Sequence, residues 1–232
     1  NYFTPDTVQR HPLGTQIDFV DPYWGGGTAV YLAVPTSISF LVGEVVYADV
    51  ANNAVDVPNT ANLGFPLLVS LNAVTANASQ VQYSWFLGAG TFVAKSSASV
   101  AAAAAIGITA AGTLGANSAG KQLLNARVEA PATTTVVKAN VATQNGSPLL
   151  RVSNSDGWFV GMALSSTGIP ASTTVGSISS DGRTVGMVQT GTTTAQNATA
   201  TGGVSVTGTY NDGTRFWNVL DFNAPFAQGA IT

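Results

Sequence analysis

Apolar and polar residues alternate along much of this chain in runs too short for helices. In "VQYSWFLG" (81–88), Val81, Tyr83 and the Trp or Leu positions that follow alternate with Gln82 and Ser84, the two-residue period of a half-buried strand. From Thr28 onward, β-branched and aromatic runs recur between Gly, Pro and Asn breaks, which predicts strands at 28–35, 43–50, 65–74, 80–88, 90–95 and 123–131. Gly88-Ala89-Gly90 is expected to turn the fourth of these into the fifth. The one helix candidate is the Ala-rich run 99–113, since Ala has the highest intrinsic helix propensity. It lacks the polar face and length of a stable amphipathic helix, so a short helical turn or extended small-residue packing is expected there.

Past Pro131 the chain shifts to Thr, Ser, Gly and Val, and turn signals come closer together. Asn-Gly or Asp-Gly pairs at 144–147, 155–158, 180–184 and 210–215 favour the positive φ angles of tight turns. The pattern predicts an all-β protein: an extended N-terminal arm (1–27), a barrel- or sandwich-like core (28–136), a second small β module (137–208) and an extended C-terminal tail (209–232). The tail is rich in aromatics and poor in charge, which would be costly to leave in water.

Composition narrows the function classes. With 232 residues and 45% apolar content the chain can bury a core. Only 8% of residues are charged, against roughly 25% in ordinary soluble domains, which leaves broad neutral surfaces suited to contact with other protein. The net charge is -3, and the eight basic residues are scattered, with no stripe to neutralise phosphates, so no nucleic-acid partner is expected. The apolar run at 99–113 falls short of the roughly 20 residues a spanning helix needs, so no membrane partner is expected. The absence of cysteine rules out disulfides, thiolate metal sites and a cysteine nucleophile.

Candidate chemistry is sparse. His11, the single histidine, lies between Arg10 and Pro12 with no neighbouring partner to orient it as a base, so a structural or interface role is expected. Asp18 and Asp21 form the one pair resembling a glycosidase's two carboxylates, but Asp21-Pro22 reads as the start of a turn and Asp18 as a polar-face residue. The acids Asp49, Asp56, Asp156, Asp181 and Asp212 fall mostly in or beside turns, where the side chain bonds nearby backbone N–H groups. "GAGTFVAK" (88–95) lacks a phosphate loop's glycine fingerprint and its Lys-Ser/Thr. No enzymatic activity, cofactor or metal is expected. Tyr23, Trp24, Tyr83, Trp85 and Trp158 remain possible sugar-stacking rings, although aromatics on strands are more often core or interface residues.

The opening stretch resembles the N-terminal region of bacteriophage capsid decoration (cement) proteins, where a phrase of the form "HPLGT...DPYWGGG...IYL" precedes a "G..V.Y" strand. The matching residues are 11–15, 21–27, 31–32 and 43–47. "QVQYSWFLGAGTFVAK" (80–95) is similar to that family's Tyr-x-Trp strand and short valine strand, and "SVAAAAAIGITAAGTL" (99–114) to its small-residue segment. The resemblance covers about residues 8–131, and the order and spacing of the pieces carry it. Where the family has an acidic-aromatic pair after the glycines this chain has Thr28, Ala29 and Val30, so no role passes to those positions. "GWFVGMALSSTGIPASTTVGSISSDGRTV" (157–185) resembles the "G..V.G.GIP.GTTV..I" units of phage tail, fibre and decoration proteins.

The resemblance implies a structural virion protein on the outer surface of the head. Its partners would be the major capsid protein and itself, as a homo-trimer. The alternative is a tail- or fibre-associated adhesin or carbohydrate-binding module. An arm and tail left in solvent would expose apolar area at about 25 cal/mol per Å². The candidate contact residues are therefore Tyr2, Phe3, His11, Phe19, Tyr23 and Trp24 in the arm, and Phe216, Trp217, Phe222 and Phe226 in the tail.

Overall fold

The computed structural model describes residues 5–229, and every regular element in them is a β-strand. The chain begins with the hairpin β1 (Gln16–Asp21) and β2 (Gly25–Val34), followed by the short strands β3 (Val45–Ala48), β4 (Ala54–Asp56) and β5 (Leu68–Ser70). Next come the long β6 (Gln82–Ser96), the hairpin β7 (Ile106–Ala110) and β8 (Thr113–Ala116), and β9 (Leu123–Ala130). Six strands then form a separate body: β10 (Thr135–Thr143), β11 (Leu149–Arg151), β12 (Ala163–Ser165), β13 (Thr173–Ile178), β14 (Thr184–Gln189) and β15 (Gly202–Thr209). Finally β16 (Phe216–Ala227) returns to the first. The chain thus divides into unit 1, up to Ala132 and again from Arg215, and unit 2, Thr133–Thr214.

Unit 1 is organised around β6, in the sheet order β1-β2-β6-β5-β3-β4 with β16 also paired to β6 and β9. β6 is one strand of 15 residues where the sequence predicted two. Ala29 lies opposite Leu87 but Thr28 opposite Ala89, which leaves Gly88 as the extra residue of a bulge. At Gly90, φ is +122°, and a Cβ would sit 2.8 Å from the Gly26 carbonyl oxygen and 2.9 Å from Gly27 Cα. Gly88-Ala89-Gly90 therefore bends a continuous strand under the closely packed β2, and does not reverse the chain.

The half-buried expectation for β6 also changes. Ser84, Trp85, Phe86 and Leu87 are all buried, because neighbours cover both faces and pair with both edges. On one face Phe86 joins Leu32, Val34, Phe40, Val46, Ala54 and Val74. Alternation sends Tyr31 and Trp85 to the other. Ser84 tolerates burial because its hydroxyl accepts a 2.8 Å bond from Asn72 Nδ2.

The Ala-rich run forms no helix. It makes a turn at 102–103 and then enters the β7–β8 hairpin, whose Ile106, Ile108 and Leu114 are core residues. The expected C-terminal tail is instead the strand β16. It pairs with β6 from Phe216 opposite Ser96 to Asn223 opposite Ala89, and with β9 from Val219 opposite Ala130 to Ala227 opposite Leu123. Its aromatic content belongs to an internal strand, with Trp217, Leu220 and Phe222 buried. Among them Asn218 is fully enclosed, and its Oδ1 accepts 2.9 Å bonds from the N–H groups of both Val100 and Ala132. Its Nδ2 donates to the Ala98 carbonyl at 3.1 Å. One amide thus ties the Ala-rich segment to the end of β9.

Unit 2 is a closed antiparallel barrel in the order β10-β11-β14-β13-β12-β15. Val141, Leu150, Met162, Leu164, Val175, Val185, Met187, Val206 and Tyr210 are buried in it, so side chains fill the interior. Trp158 is also buried and donates from Nε1 to the Val136 carbonyl at 3.2 Å. The glycines of the Asn-Gly and Asp-Gly pairs, Gly146, Gly157, Gly182 and Gly213, all have φ between +66° and +88°, as their turn chemistry predicts.

Candidate interaction surface

The β1–β2 hairpin runs in continuous antiparallel register from Gln16 opposite Val30 to Asp21 opposite Gly25. At its tip Asp21 Oδ1 accepts 2.8 Å bonds from the N–H groups of Tyr23 and Trp24, which fixes the turn without a partner. The Trp24 ring stands edge-on to Phe92 at 5.5 Å and to Tyr23 at 4.7 Å. Phe19 is buried. What remains outward is Val20, 83% exposed, Tyr23, 45% exposed, and the exposed Pro22. A rigid turn thus presents apolar groups beyond the end strand of the sheet. Asp18 accepts a 3.0 Å bond from the Thr28 hydroxyl across the hairpin, so both Asp18 and Asp21 have structural partners.

Residues 5–15 lie on unit 1 itself. Asp6 and Tyr83 exchange backbone hydrogen bonds of 2.8 and 2.9 Å, and the Asp6 carboxylate accepts from Arg10 Nε at 3.1 Å and from the Tyr31 hydroxyl at 3.3 Å. Burial, with the Asp6 charge in support, pushes the Tyr31 hydroxyl above its ordinary pKa. His11 is exposed overall, yet its ring packs 5.2 Å from both Tyr31 and Trp85. Gly14 N–H donates to the Tyr31 carbonyl and Tyr31 N–H to that of Thr15, at 2.8 and 2.9 Å. The expected free arm is, from residue 5, a strap over an aromatic face followed by a sheet strand. Tyr2 and Phe3 lie outside the described residues.

The tail candidates separate. Trp217 is enclosed, donates from Nε1 to the Val42 carbonyl at 2.9 Å and lies 5.5 Å from the Arg215 guanidinium; Phe222 is equally buried. Neither presents a surface to a partner in this fold. Phe216 and Phe226 are half-buried on the same strand. The possible sugar platforms are also sorted: Trp85 and Trp158 are buried, Trp24 and Tyr83 half-buried, and Tyr23 is the exposed ring among the five. In unit 2 a depression of about 460 Å³ is lined by Thr143, Gln144, Ser147, Arg151 and Thr201 with apolar neighbours, and no aromatic ring lines it.

Asp49, Asp181 and Asp212 bond nearby backbone N–H groups as their turn positions predict. Asp49 accepts from the Nδ2 and the N–H of Asn53 and from the Ala51 N–H, which holds its carboxyl below the usual range; the Ser179 hydroxyl and Arg183 N–H do the same for Asp181. Asp56 lies outside a turn, at the end of β4, and Asp156 takes part in its turn through its backbone N–H, which donates to Asn154 Oδ1 at 3.2 Å. Among the described residues no three His, Asp or Glu side chains converge as metal ligands.

Sequence reasoning passed over Val20, whose exposure follows from its strand parity opposite the buried Phe19. It also passed over Glu44, Lys95 and Asn218, polar residues inside apolar strand runs, of which Glu44 and Asn218 are buried and Lys95 is half-buried. No protein family, curated protein or solved structure matches this chain.

Proposed function

We propose that the chain is a non-enzymatic capsid decoration protein that docks on the major capsid protein through the tip of the β1–β2 hairpin. The observation that carries this reading is the rigid tip with Val20, Pro22 and Tyr23 turned outward on a protein of few charges. Apolar side chains held outward by a fixed turn lose little conformational entropy on binding, so most of their burial appears as affinity. The order of motifs in residues 8–131 supports a shell as the partner. The low charge supports self-association as a homo-trimer, which sedimentation tests directly.

An adhesin reading requires rings on which a sugar can stack, and the single exposed ring among the candidates gives it less support. The deciding experiment is co-sedimentation with undecorated phage shells, comparing the wild type with the double variant Val20→Ser, Tyr23→Ser. Each 1.4 kcal/mol lost per contact weakens binding about tenfold, and multiple copies multiply the effect. Strong wild-type binding with a loss of at least about tenfold in the variant is expected. Equal binding by both proteins removes the tip as the dock, and glycan-dependent binding to cells without shell binding favours the adhesin.

A further inference from the structure

Beneath the Ala111–Gly112 turn of the β7–β8 hairpin, unit 1 gathers two carboxylates and one ammonium. Glu44 is buried, with Oε2 accepting the Leu41 N–H at 2.6 Å and Oε1 paired with Lys95 Nζ. That lysine is therefore already engaged. Asp56 shares the pocket, and its Oδ1 is shut off from solvent with no hydrogen-bond partner. The turn presses on both acids: the space a Cβ on Gly112 would fill lies 2.5 Å from Asp56 Oδ1 and 2.7 Å from Glu44 Cγ. Two backbone bonds of 3.0 Å seat it, from Gly112 N–H to the Val57 carbonyl and from Val45 N–H to the Gly112 carbonyl. These bonds join the hairpin to the segments that carry Glu44 and Asp56.

We propose that Glu44, Asp56 and Lys95 form a proton-operated latch, seated while Asp56 is protonated and loosened at the Gly112 end of the hairpin when Asp56 ionises. In the protonated state the pocket balances one carboxylate against one ammonium. After ionisation, two carboxylates compete for Lys95, and the partnerless oxygen carries charge beneath a turn it cannot leave. Burial is the largest influence on Asp56 and the Glu44 charge the next, with Lys95 opposing both; together they push its pKa up to about 6. These are the charged groups that act on it. The folded state thus prefers protonated Asp56. Its contribution is full below the ordinary value of 3.8, declines as pH rises through about 6, and stays lost above.

The test is amide hydrogen exchange on the full chain between pH 5 and 7.5, with rates divided by the intrinsic chemical rate at each pH. Between pH 5 and 7.5 a carboxyl that titrates near 6 when seated and near 3.8 when open changes a fully coupled opening about tenfold, and partial solvent access to Asp56 reduces this to about threefold to fivefold. Protection at Gly112 and Val45 should fall by that factor in the wild type and stay flat in Asp56→Asn. A second measurement follows the Asp56 side-chain carboxyl by NMR in the wild type and in Glu44→Gln. Its midpoint should lie near 6 in the former and move down in the latter, where the like charge is gone. A wild-type midpoint near 3.8, or the same pH profile of protection in wild type and Asp56→Asn, overturns the latch.

Discussion

Replacing Asn218 with Leu keeps the number and branching of its side-chain heavy atoms while removing all three of its hydrogen bonds, and the bulkier methyl groups add any cost of overpacking to the loss of the amide. In the native protein it serves Val100 N–H, Ala132 N–H and the Ala98 carbonyl, groups 118, 86 and 120 residues away in sequence. At a net value of about 1 kcal/mol per bond the loss is about 3 kcal/mol, and any backbone N–H left buried without a partner adds to it. For a unit of this size that lowers the midpoint of thermal unfolding by about 6 to 12 °C. Urea unfolding followed by tryptophan fluorescence measures it, in a Trp158→Phe background so that the remaining tryptophans report unit 1 alone. The denaturant slope should be unchanged, since the fold is retained. A loss below about 0.5 kcal/mol would show that water or a local shift satisfies these groups as well as Asn218 does, refuting the staple.

Gly90→Ala should destabilise unit 1 by about 2 kcal/mol or more, because its Cβ meets backbone atoms of Gly26 and Gly27 and φ is positive; thermal unfolding checks this. Residues 133–214 expressed alone should give a β-type circular dichroism spectrum and a cooperative urea transition reported by Trp158, since the barrel closes on its own strands. Asp56→Asn should raise stability at pH 7.5 by about 1 to 2 kcal/mol, a value discounted because the carboxyl is only partly buried, and change it little at pH 3.5, where wild-type Asp56 is largely protonated folded or unfolded; paired urea curves at the two pH values test the sign. Val20→Ser with Tyr23→Ser should lower the stability measured by urea unfolding by no more than about 1.5 kcal/mol, the value of the lost Tyr23–Trp24 ring pair, since Val20 already faces solvent.

The all-β class was legible because it rests on local signals. Period-two alternation and Asn-Gly or Asp-Gly turn chemistry act within a few residues, and the turn glycines of unit 2 adopt the φ angles those signals require. Partnership across the chain was not legible in the same way. Whether Trp217 and Phe222 face a partner or the core depends on β16 returning past the whole of unit 2 to lie between β6 and β9, and nothing in residues 209–232 encodes that distance. The same holds for Gly88-Ala89-Gly90: glycines that can turn a chain can also admit a neighbouring strand, and the approach of Gly26 and Gly27 selects the second outcome. At the candidate surface, Asp21-Pro22 did mark the turn that holds Tyr23 and Trp24. The exposure of Val20 and the Glu44–Lys95–Asp56 pocket required knowing which face of each strand was already covered.

The proposed function is tested most directly by imaging phage heads carrying the bound protein at a resolution that traces its strands. Many copies are expected at symmetric positions over the outer shell, with the Asp21 to Trp24 turn against the major capsid protein and Val20 and Tyr23 buried in the contact. A few copies at a single vertex or along a tail, or a shell contact made elsewhere with the hairpin tip in solvent, would contradict it.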